Sequence, residues 1–284
     1  MNRQTRRKLR NLAYFILSRL VENLVYSTYF GGVKIKRQGG LGFLSIRNLM
    51  KNNSFKNEEQ FLYDLALRHR CIYDIGSHIG IFTIFFAKYQ ESTNQVIAFE
   101  PNPEIYAQLD KNISLNNVEN IKTLNIGIGD EEGILPLATR RYETNTASLD
   151  REISKKILKE RKSITIPVKV MTLDGCIEKY GLPQPDFIKI DIEGMEYNAL
   201  VGMSDTIRKK KPQLYIEIHG ARDSIKKENI KKIYNYLTKK QYSIYHIETQ
   251  GRITKENISI AKRGHIFCTA NPDDVALLPT KGYK

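Results

Sequence analysis

From Cys71 onward the chain alternates short, β-rich apolar runs with stretches whose apolar residues recur at helical spacing. That alternation predicts a mostly parallel sheet covered by helices on both faces. The first strand reads Cys71 to Ile75, a glycine-rich turn leads into a helix through Phe82, Ile84, Phe85 and Phe86, and Gln95 to Glu100 is a second strand. Pro103 suits the first turn of the next helix, whose face carries Ile105, Tyr106, Leu109 and Ile113. Ile121 to Gly127 makes a third strand; a small hairpin-like piece follows Asp130, and the polar stretch from Arg140 to Ser163 reads as a long loop with some helix. Ile164 to Val170 alternates as a half-buried strand, and Thr172 can cap the helix after it. Asp186 to Asp191 and Leu214 to His219 resume the parallel pattern on either side of a helix over Tyr197 to Ile207. Tyr242 to Ile247 and His265 to Ala270, separated by a polar turn, predict a hairpin at the sheet edge.

Residues 1–70 read as an N-terminal extension, and 71–284 as the main domain. The extension is expected to hold a helix, a strand pair around Val33 to Ile46, and a helix from Glu58 to Leu67. Its start carries Arg3, Arg6, Arg7, Lys8 and Arg10 ahead of an apolar stretch from Leu12 to Phe30. Arg19, Glu22 and Asn23 interrupt that stretch and no small-residue cleavage site follows, so neither a spanning helix nor a secretory peptide fits. Leu12, Phe15, Ile16, Leu20 and Val21 instead recur as the stripe of an amphipathic helix, which suits a cap on the core or, less favoured, a peripheral contact with an anionic membrane.

Composition changes this picture little. A chain of 284 residues that is 41% hydrophobic can bury a large core. Its net charge of +14 admits polyanionic partners, but the lysines are spread through segments such as Lys209 to Lys211 and Lys226 to Lys232 that read as solvated helix faces. Cys71, Cys176 and Cys268 are far apart and odd in number, which indicates no disulfide framework or thiolate zinc site and suits a cytoplasmic setting. Cys71 and Cys268 fall inside apolar runs and are expected in the core, leaving no nucleophilic thiol.

The candidate chemistry lies at the strand ends. Asp74-Ile75-Gly76-Ser77-His78-Ile79-Gly80 occupies a strand-to-helix turn, where glycines permit tight backbone angles and the helix start directs N–H groups toward a ligand. A dinucleotide site would carry Gly-x-Gly-x-x-Gly here; the aspartate that leads this turn would repel a pyrophosphate but suit a sulfonium cofactor bearing an ammonium group. Glu100, 26 residues beyond Asp74, ends the second strand, where a carboxylate reaches both hydroxyls of a ribose. Gly127 leaves room for an adenine at the end of the third strand, and Asp130 is placed to meet its amino group. Three strand ends thus point to one crevice at the carboxyl edge of an open sheet.

The fourth strand ends in Lys189-Ile190-Asp191-Ile192-Glu193-Gly194-Met195-Glu196, and the next supplies Glu217 and His219. Transfer from a sulfonium is an in-line displacement, so alignment supplies much of the catalysis, and a hydroxyl nucleophile must also lose its proton. His219, expected to titrate close to neutral, or Asp191, Glu193 or Glu217 could take that proton. Alternatively Asp191, Glu217 and His219 could hold a divalent metal, the less favoured reading. Glu196 reads as a helix-start acid favoured by the macrodipole.

From about Tyr73 to His219 the sequence resembles the FkbM methyltransferase family. The resemblance rests on Tyr73-Asp74-Ile75-Gly76, Phe99-Glu100-Pro101, Ile128-Gly129-Asp130, Thr172-Leu173-Asp174, Ile188 to Glu196 and Glu217-Ile218-His219. It implies a Rossmann-like class I methyltransferase fold: a seven-stranded, mostly parallel sheet with helices on both faces and a terminal antiparallel hairpin. It also implies S-adenosylmethionine as cofactor and usually O-methylation, with acceptors that include sugars, lipid-linked glycans and polyketides. His78 departs from the asparagine common in the family's turn, and Ser77 replaces alanine. Three rivals remain: an RNA methyltransferase using the basic surface, a nicotinamide-dependent oxidoreductase, and a non-catalytic cofactor- or glycan-binding module. The absent glycine triad counts against the second, and the tyrosines near Lys239 and Lys240 offer the first little support.

Overall fold

The computed structural model describes residues 25–30, 32–38, 55–91, 93–140, 143–160, 162–262 and 264–278. The amphipathic stripe from Leu12 to Val21 and the basic residues before it lie outside them. A hairpin of β1 (Val25–Phe30) and β2 (Val33–Gln38) comes first, earlier in the chain than the pair expected around Val33 to Ile46, and α1 (Phe55–Arg68) follows. Both elements pack on the main domain. Phe30 sets its ring edge-on against Phe82 and Phe85, with centroids 4.9 and 5.0 Å away, and the Lys36 and Gln38 N–H groups donate to Asn116 and Asn112 Oδ1. Phe61, Leu62 and Leu65 of α1 are buried in the same apolar cluster.

The parallel pattern then unfolds as β3 (Cys71–Ile75), α2 (Ile81–Tyr89), β4 (Gln95–Phe99), α3 (Pro103–Ser114) and β5 (Ile121–Leu124). Asn102 caps α3 by accepting the Glu104 N–H, with Pro103 in the first turn as its fixed φ favours. After β5 the chain leaves the sheet: β6 (Gly127–Ile128), β7 (Gly133–Arg140), β8 (Glu143–Ser148), α4 (Arg151–Leu158) and β9 (Ser163–Met171) form a second unit. It returns through α5 (Leu173–Tyr180), β10 (Phe187–Ile190), α6 (Glu196–Val201), α7 (Ser204–Lys210), β11 (Gln213–Glu217), α8 (Asp223–Lys239), β12 (Ser243–His246), β13 (Gly251–Arg252) and β14 (His265–Thr269).

The main sheet has the order β13-β12-β14-β11-β10-β3-β4-β5. The five strands from β5 to β11 run parallel, and β14 inserts antiparallel between β11 and β12. The Rossmann-like class and the antiparallel terminal pair therefore stand, with two-residue β13 added to the expected seven strands. Side chains alternate to the two faces. Tyr73, Ile75, Ile188, Ile190, Leu214 and Ile216 join the core under α5 to α8, whereas Ile72, Phe187, Tyr215 and Phe267 join the one under α1 and α2. The strand order reverses between β3 and β10, so a crevice opens at their carboxyl ends.

Three expectations fail. The segment from Arg140 to Ser163 is not a long loop, because β7, β8 and β9 pair antiparallel in a second sheet of order β6-β9-β7-β8. Gly127 does not end the third main strand: β5 stops at Leu124, and Gly127 and Ile128 pair with Val170 and Met171 of β9. The single helix read over Tyr197 to Ile207 is α6 and α7, broken around Gly202, where a Cβ would lie 1.9 Å from the Gly129 carbonyl oxygen. Among the described residues no helix is long and apolar enough to cross a membrane. All three cysteines are buried, and burial pushes the Cys71 and Cys176 thiols up to about 12, so none supplies a thiolate near neutral pH.

Candidate functional site

A cavity of about 320 Å³ opens at the carboxyl ends of β3, β4 and β10, within the roughly 300–1,000 Å³ common for small-molecule sites. The turn after β3 forms its floor. Gly76 sits at φ 82°, and a Cβ there would lie 1.9 Å from the Asp191 carbonyl oxygen, so only glycine lets the turn press against the tip of β10. The Gly76 and Ser77 N–H groups both donate to the Phe99 carbonyl at 3.0 Å, fixing the turn to the end of β4. His78 has φ 50°, a left-handed conformation that asparagine and histidine tolerate better than most residues.

Glu100 stands on the cavity wall, 7% exposed. Its Oε2 accepts the His78 N–H at 3.0 Å and its Oε1 accepts the Asn102 N–H at 2.9 Å. Burial nevertheless outweighs these donors, and the charges of Asp74 and Asp191 add to it, so the carboxyl is pushed up to about 7. Gly127 lines the same cavity, where a Cβ would already contact Pro101, Leu149 and Val170 at 3.3 Å. Leu137 and Ala147 of the second sheet, with Leu149 just past β8, complete an apolar wall. Those three were not expected, because the polar composition around β8 hides its pairing.

Three residues expected in the cofactor site lie elsewhere. Asp74 is fully buried and does not line the cavity. Strand alternation turns it toward α2, where its Oδ2 accepts the Thr83 hydroxyl at 2.6 Å and its Oδ1 lies 3.5 Å from Lys189 Nζ. Gly80 serves packing: at φ 87° it precedes α2, and a Cβ there would meet Leu109 Cδ1 at 2.4 Å. Asp130 is exposed and outside the cavity lining, carried away by the departure of β6 to the second sheet.

At the other end of the cavity lie Asp191 and Glu193. Lys189, a residue expected only as part of a charged strand, proves central here. Its Nζ is buried 3.5 Å from Asp74 Oδ1, 3.4 Å from Asp191 Oδ2 and 4.5 Å from the Phe82 ring centre. Burial opposes its charge, but the two aspartates prevail and hold its proton more firmly than usual. Glu193 is fixed by a positive φ of 52° and by Ser148 Oγ donating to its carbonyl at 2.6 Å, and burial raises its carboxyl pKa.

Behind these acids, and outside the cavity lining, the structure gathers His219 and Glu217. His219 Nδ1 lies 3.0 Å from Glu196 Oε1, and its Nε2 lies 3.4 Å from Glu217 Oε1 and 3.8 Å from both Asp191 Oδ1 and Glu193 Oε2. Burial lowers the imidazole's pKa, yet the hydrogen bonds to Glu196 and Glu217 and the charges of Glu196 and Glu193 outweigh it and raise it to about 11. The expectation of a near-neutral base at His219 is thereby overturned: with this acidic surround the ring holds its proton throughout the neutral range. Glu217 bridges to a second histidine, His265, whose Nε2 lies 3.6 Å from Oε2; although burial disfavours its charge, the two imidazoles pull its carboxyl well below the usual range.

Glu196 is more than a helix-start acid. It is fully buried at the head of α6, accepting Gly194 N–H at 2.9 Å, the His219 ring at 3.0 Å and Asn229 Nδ2 at 2.7 Å. Asn229 comes from α8, a contact with no local sequence signal. Asp191, Glu217 and His219 also offer one ligand atom each within 4.8 Å of one another.

Residues 74–244 match the Methyltransferase FkbM domain family. Methyltransferase sdnD of Sordaria araneosa is 27% identical over 185 residues, covering 53% of this chain and 71% of that protein. Hexuronic acid methyltransferase AglP of Haloferax volcanii is 24% identical over 183 residues, covering 63% and 70% respectively. The crystal structure of a methyltransferase FkbM from Methylobacillus flagellatus KT superposes with a TM-score of 0.45 at 20% identity, over 70% of this chain and 43% of that one.

Proposed function

The chain belongs to the FkbM methyltransferase domain family, and on that premise we propose that it transfers a methyl group from S-adenosylmethionine to a hydroxyl of a saccharide or another small-molecule acceptor. The observation that carries this reading is Glu100: a buried carboxylate on the cavity wall, oriented by two backbone N–H groups, with lone pairs left to accept a pair of ribose hydroxyls. The residues fit the rest of the cofactor. Pro101, Ile126, Ile128 and Leu137 give an apolar slot for an adenine, Ser77 Oγ is a buried cavity-lining atom with no hydrogen-bond partner, and Asp191 and Glu193 face the end where a sulfonium and an ammonium group would lie. When bound, S-adenosylmethionine supplies an electrophilic methyl group on a positive sulfur.

What the chain adds is placement and proton handling. The tips of Asp191 and Glu193 line the cavity where an acceptor hydroxyl would meet the methyl group, so they serve to orient that hydroxyl and handle its proton more than to set cofactor affinity. Acceleration then comes from holding the acceptor oxygen in line with the methyl group and shielding it from water. Glu193 faces the cavity with its proton affinity raised by burial, which suits it to receive the acceptor's hydroxyl proton. His219, held as a cation, orients Asp191, Glu193 and Glu217 rather than taking the proton itself.

Carboxylates at the mouth accept hydrogen bonds from vicinal hydroxyls and repel phosphates, which favours a neutral polyol over nucleic acid despite the net charge of +14. The basic N-terminal residues are proposed for peripheral contact with an anionic membrane. Calorimetry tests the reading: S-adenosylhomocysteine should bind saturably and NAD should not, followed by transfer of radiolabelled methyl into cell-extract glycans. Binding of NAD alone would overturn it.

A further inference from the structure

The carboxylate–imidazole cluster beside the cavity is built as an ion pair of unusual shape. One imidazole faces four carboxylates, those of Asp191, Glu193, Glu196 and Glu217, while Lys189 reaches only the Oδ2 side of Asp191. The carboxylates do not share the ring equally. Glu196, buried and itself fixed by the Gly194 N–H and by Asn229, takes the Nδ1–H, so the ring cannot turn and Nε2 points at Glu217 and Asp191. A buried carboxylate on the far nitrogen of a histidine is the support that orients metal-bound imidazoles.

We propose that Asp191 Oδ1, Glu217 Oε1 and His219 Nε2 form a divalent-cation site at the border between the methyl-donor cavity and the acceptor's entry, the ion displacing to solvent the proton that Nε2 carries in its absence while Nδ1–H stays on Glu196. Ligand atoms about 2.0–2.2 Å from an ion stand roughly 3–3.5 Å apart in tetrahedral or octahedral geometry. Here His219 Nε2 is already 3.4 Å from Glu217 Oε1 and 3.8 Å from Asp191 Oδ1, and the three ligand atoms lie within 4.8 Å of one another, so closure on an ion draws together side chains that are only partly buried. Glu193 Oε2, 3.8 Å from the same nitrogen, can serve as a fourth ligand or receive a proton from one. Two carboxylates with one imidazole suit Mn²⁺, Fe²⁺ or Zn²⁺ better than Ca²⁺ or Mg²⁺. Three protein ligands leave open positions on the ion, and because Asp191 also lines the cavity, an acceptor hydroxyl bound there is both acidified and aimed at the methyl donor.

The use of the ion in catalysis rests on the proposed methyl transfer, but the site itself does not. The test therefore starts with metal binding: Mn²⁺ titrated into the full chain, freed of metal by chelation, and followed by electron paramagnetic resonance. Saturable binding is expected, weakened at least about tenfold by Glu217→Gln and by His219→Ala, and by about 10–100-fold in Glu196→Gln, which touches no ion. S-adenosylhomocysteine affinity, measured on the same samples, should persist in all three variants and shows that they are folded. Absence of saturable Mn²⁺ binding, or binding unchanged by Glu217→Gln and His219→Ala, overturns the site. Loss of S-adenosylhomocysteine binding in the unsubstituted chain would instead strike at the methyltransferase reading and leave the Mn²⁺ result to stand alone.

Discussion

The two ends of the cavity hold their carboxylates in different ways. At the β4 end, Glu100 is gripped by main-chain N–H groups of His78 and Asn102, on a turn whose glycine cannot be replaced without moving the tip of β10. At the β10 and β11 end, Asp191, Glu193, Glu196 and Glu217 share chiefly the single ring of His219, and among the described residues only Glu196 of the four also takes a main-chain N–H, that of Gly194. Main-chain donors do not themselves titrate and are fixed by the backbone that carries them. A side-chain cluster can rearrange around an ion or an acceptor, because each of its members turns about its own side-chain torsions. Rigid recognition and adjustable chemistry are thus assigned to opposite ends of one crevice.

That division can be broken most severely at its hinge. Gly76→Ala sets a Cβ 1.9 Å from the Asp191 carbonyl at a φ of 82°, and should cost about 3 kcal/mol or more in urea unfolding; Gly181→Ala, also at positive φ but with open space around it, should cost only about 1–2 kcal/mol. Equal costs would remove the claim that the turn and β10 are wedged together. Next in size, Asp191→Asn should reduce turnover on the true acceptor by about tenfold or more with little loss of cofactor affinity.

Glu100→Ala should do the reverse, weakening S-adenosylhomocysteine by about 1–3 kcal/mol, read as the change in Kd. The same residue sets a pH dependence. With its carboxyl raised to about 7, Glu100 is mostly protonated at pH 6 and mostly ionised at pH 8, so cofactor affinity should rise across that interval and flatten in Glu100→Gln. Stability should move oppositely: an acid whose folded pKa is raised binds more protons folded than unfolded, so its contribution is present at low pH and is lost as pH climbs from the ordinary carboxyl range through about 7. Smallest of all, Asp130→Asn should change affinity and stability by less than about 0.5 kcal/mol, because that exposed side chain belongs to neither end.

Much of the rigid end was legible in the sequence. Gly76 and Glu100 sit one βαβ unit apart, and Pro103 and Thr172 announce their helices, because these are local signals. Asp74 misled. Its place before the turn suggests a ligand contact, but it shares the face of Ile72, so the strand's parity sends it to Lys189 and Thr83 under α2. That partnership depends on the pairing of Asp74 with Lys189 across β3 and β10, which sequence spacing does not reveal. The adjustable end was legible as a set of residue types but not as an arrangement. Glu196 looks like an ordinary helix-start acid until Asn229 and His219 converge on it from α8 and the end of β11, and only that convergence turns a near-neutral histidine into a held cation. The second sheet leaves little trace in the sequence because β8 is polar apart from Ala147 and draws its order from pairing with β7.

The most direct test of this division of labour is a paired measurement on Glu100→Ala and Asp191→Asn: the Kd for S-adenosylhomocysteine by calorimetry and the methyl-transfer rate at saturating S-adenosylmethionine. The account predicts that Glu100→Ala raises Kd by about 5- to 150-fold while retaining most of the saturated rate, and that Asp191→Asn keeps Kd but loses rate. Unchanged affinity in the first variant together with unchanged rate in the second would contradict it.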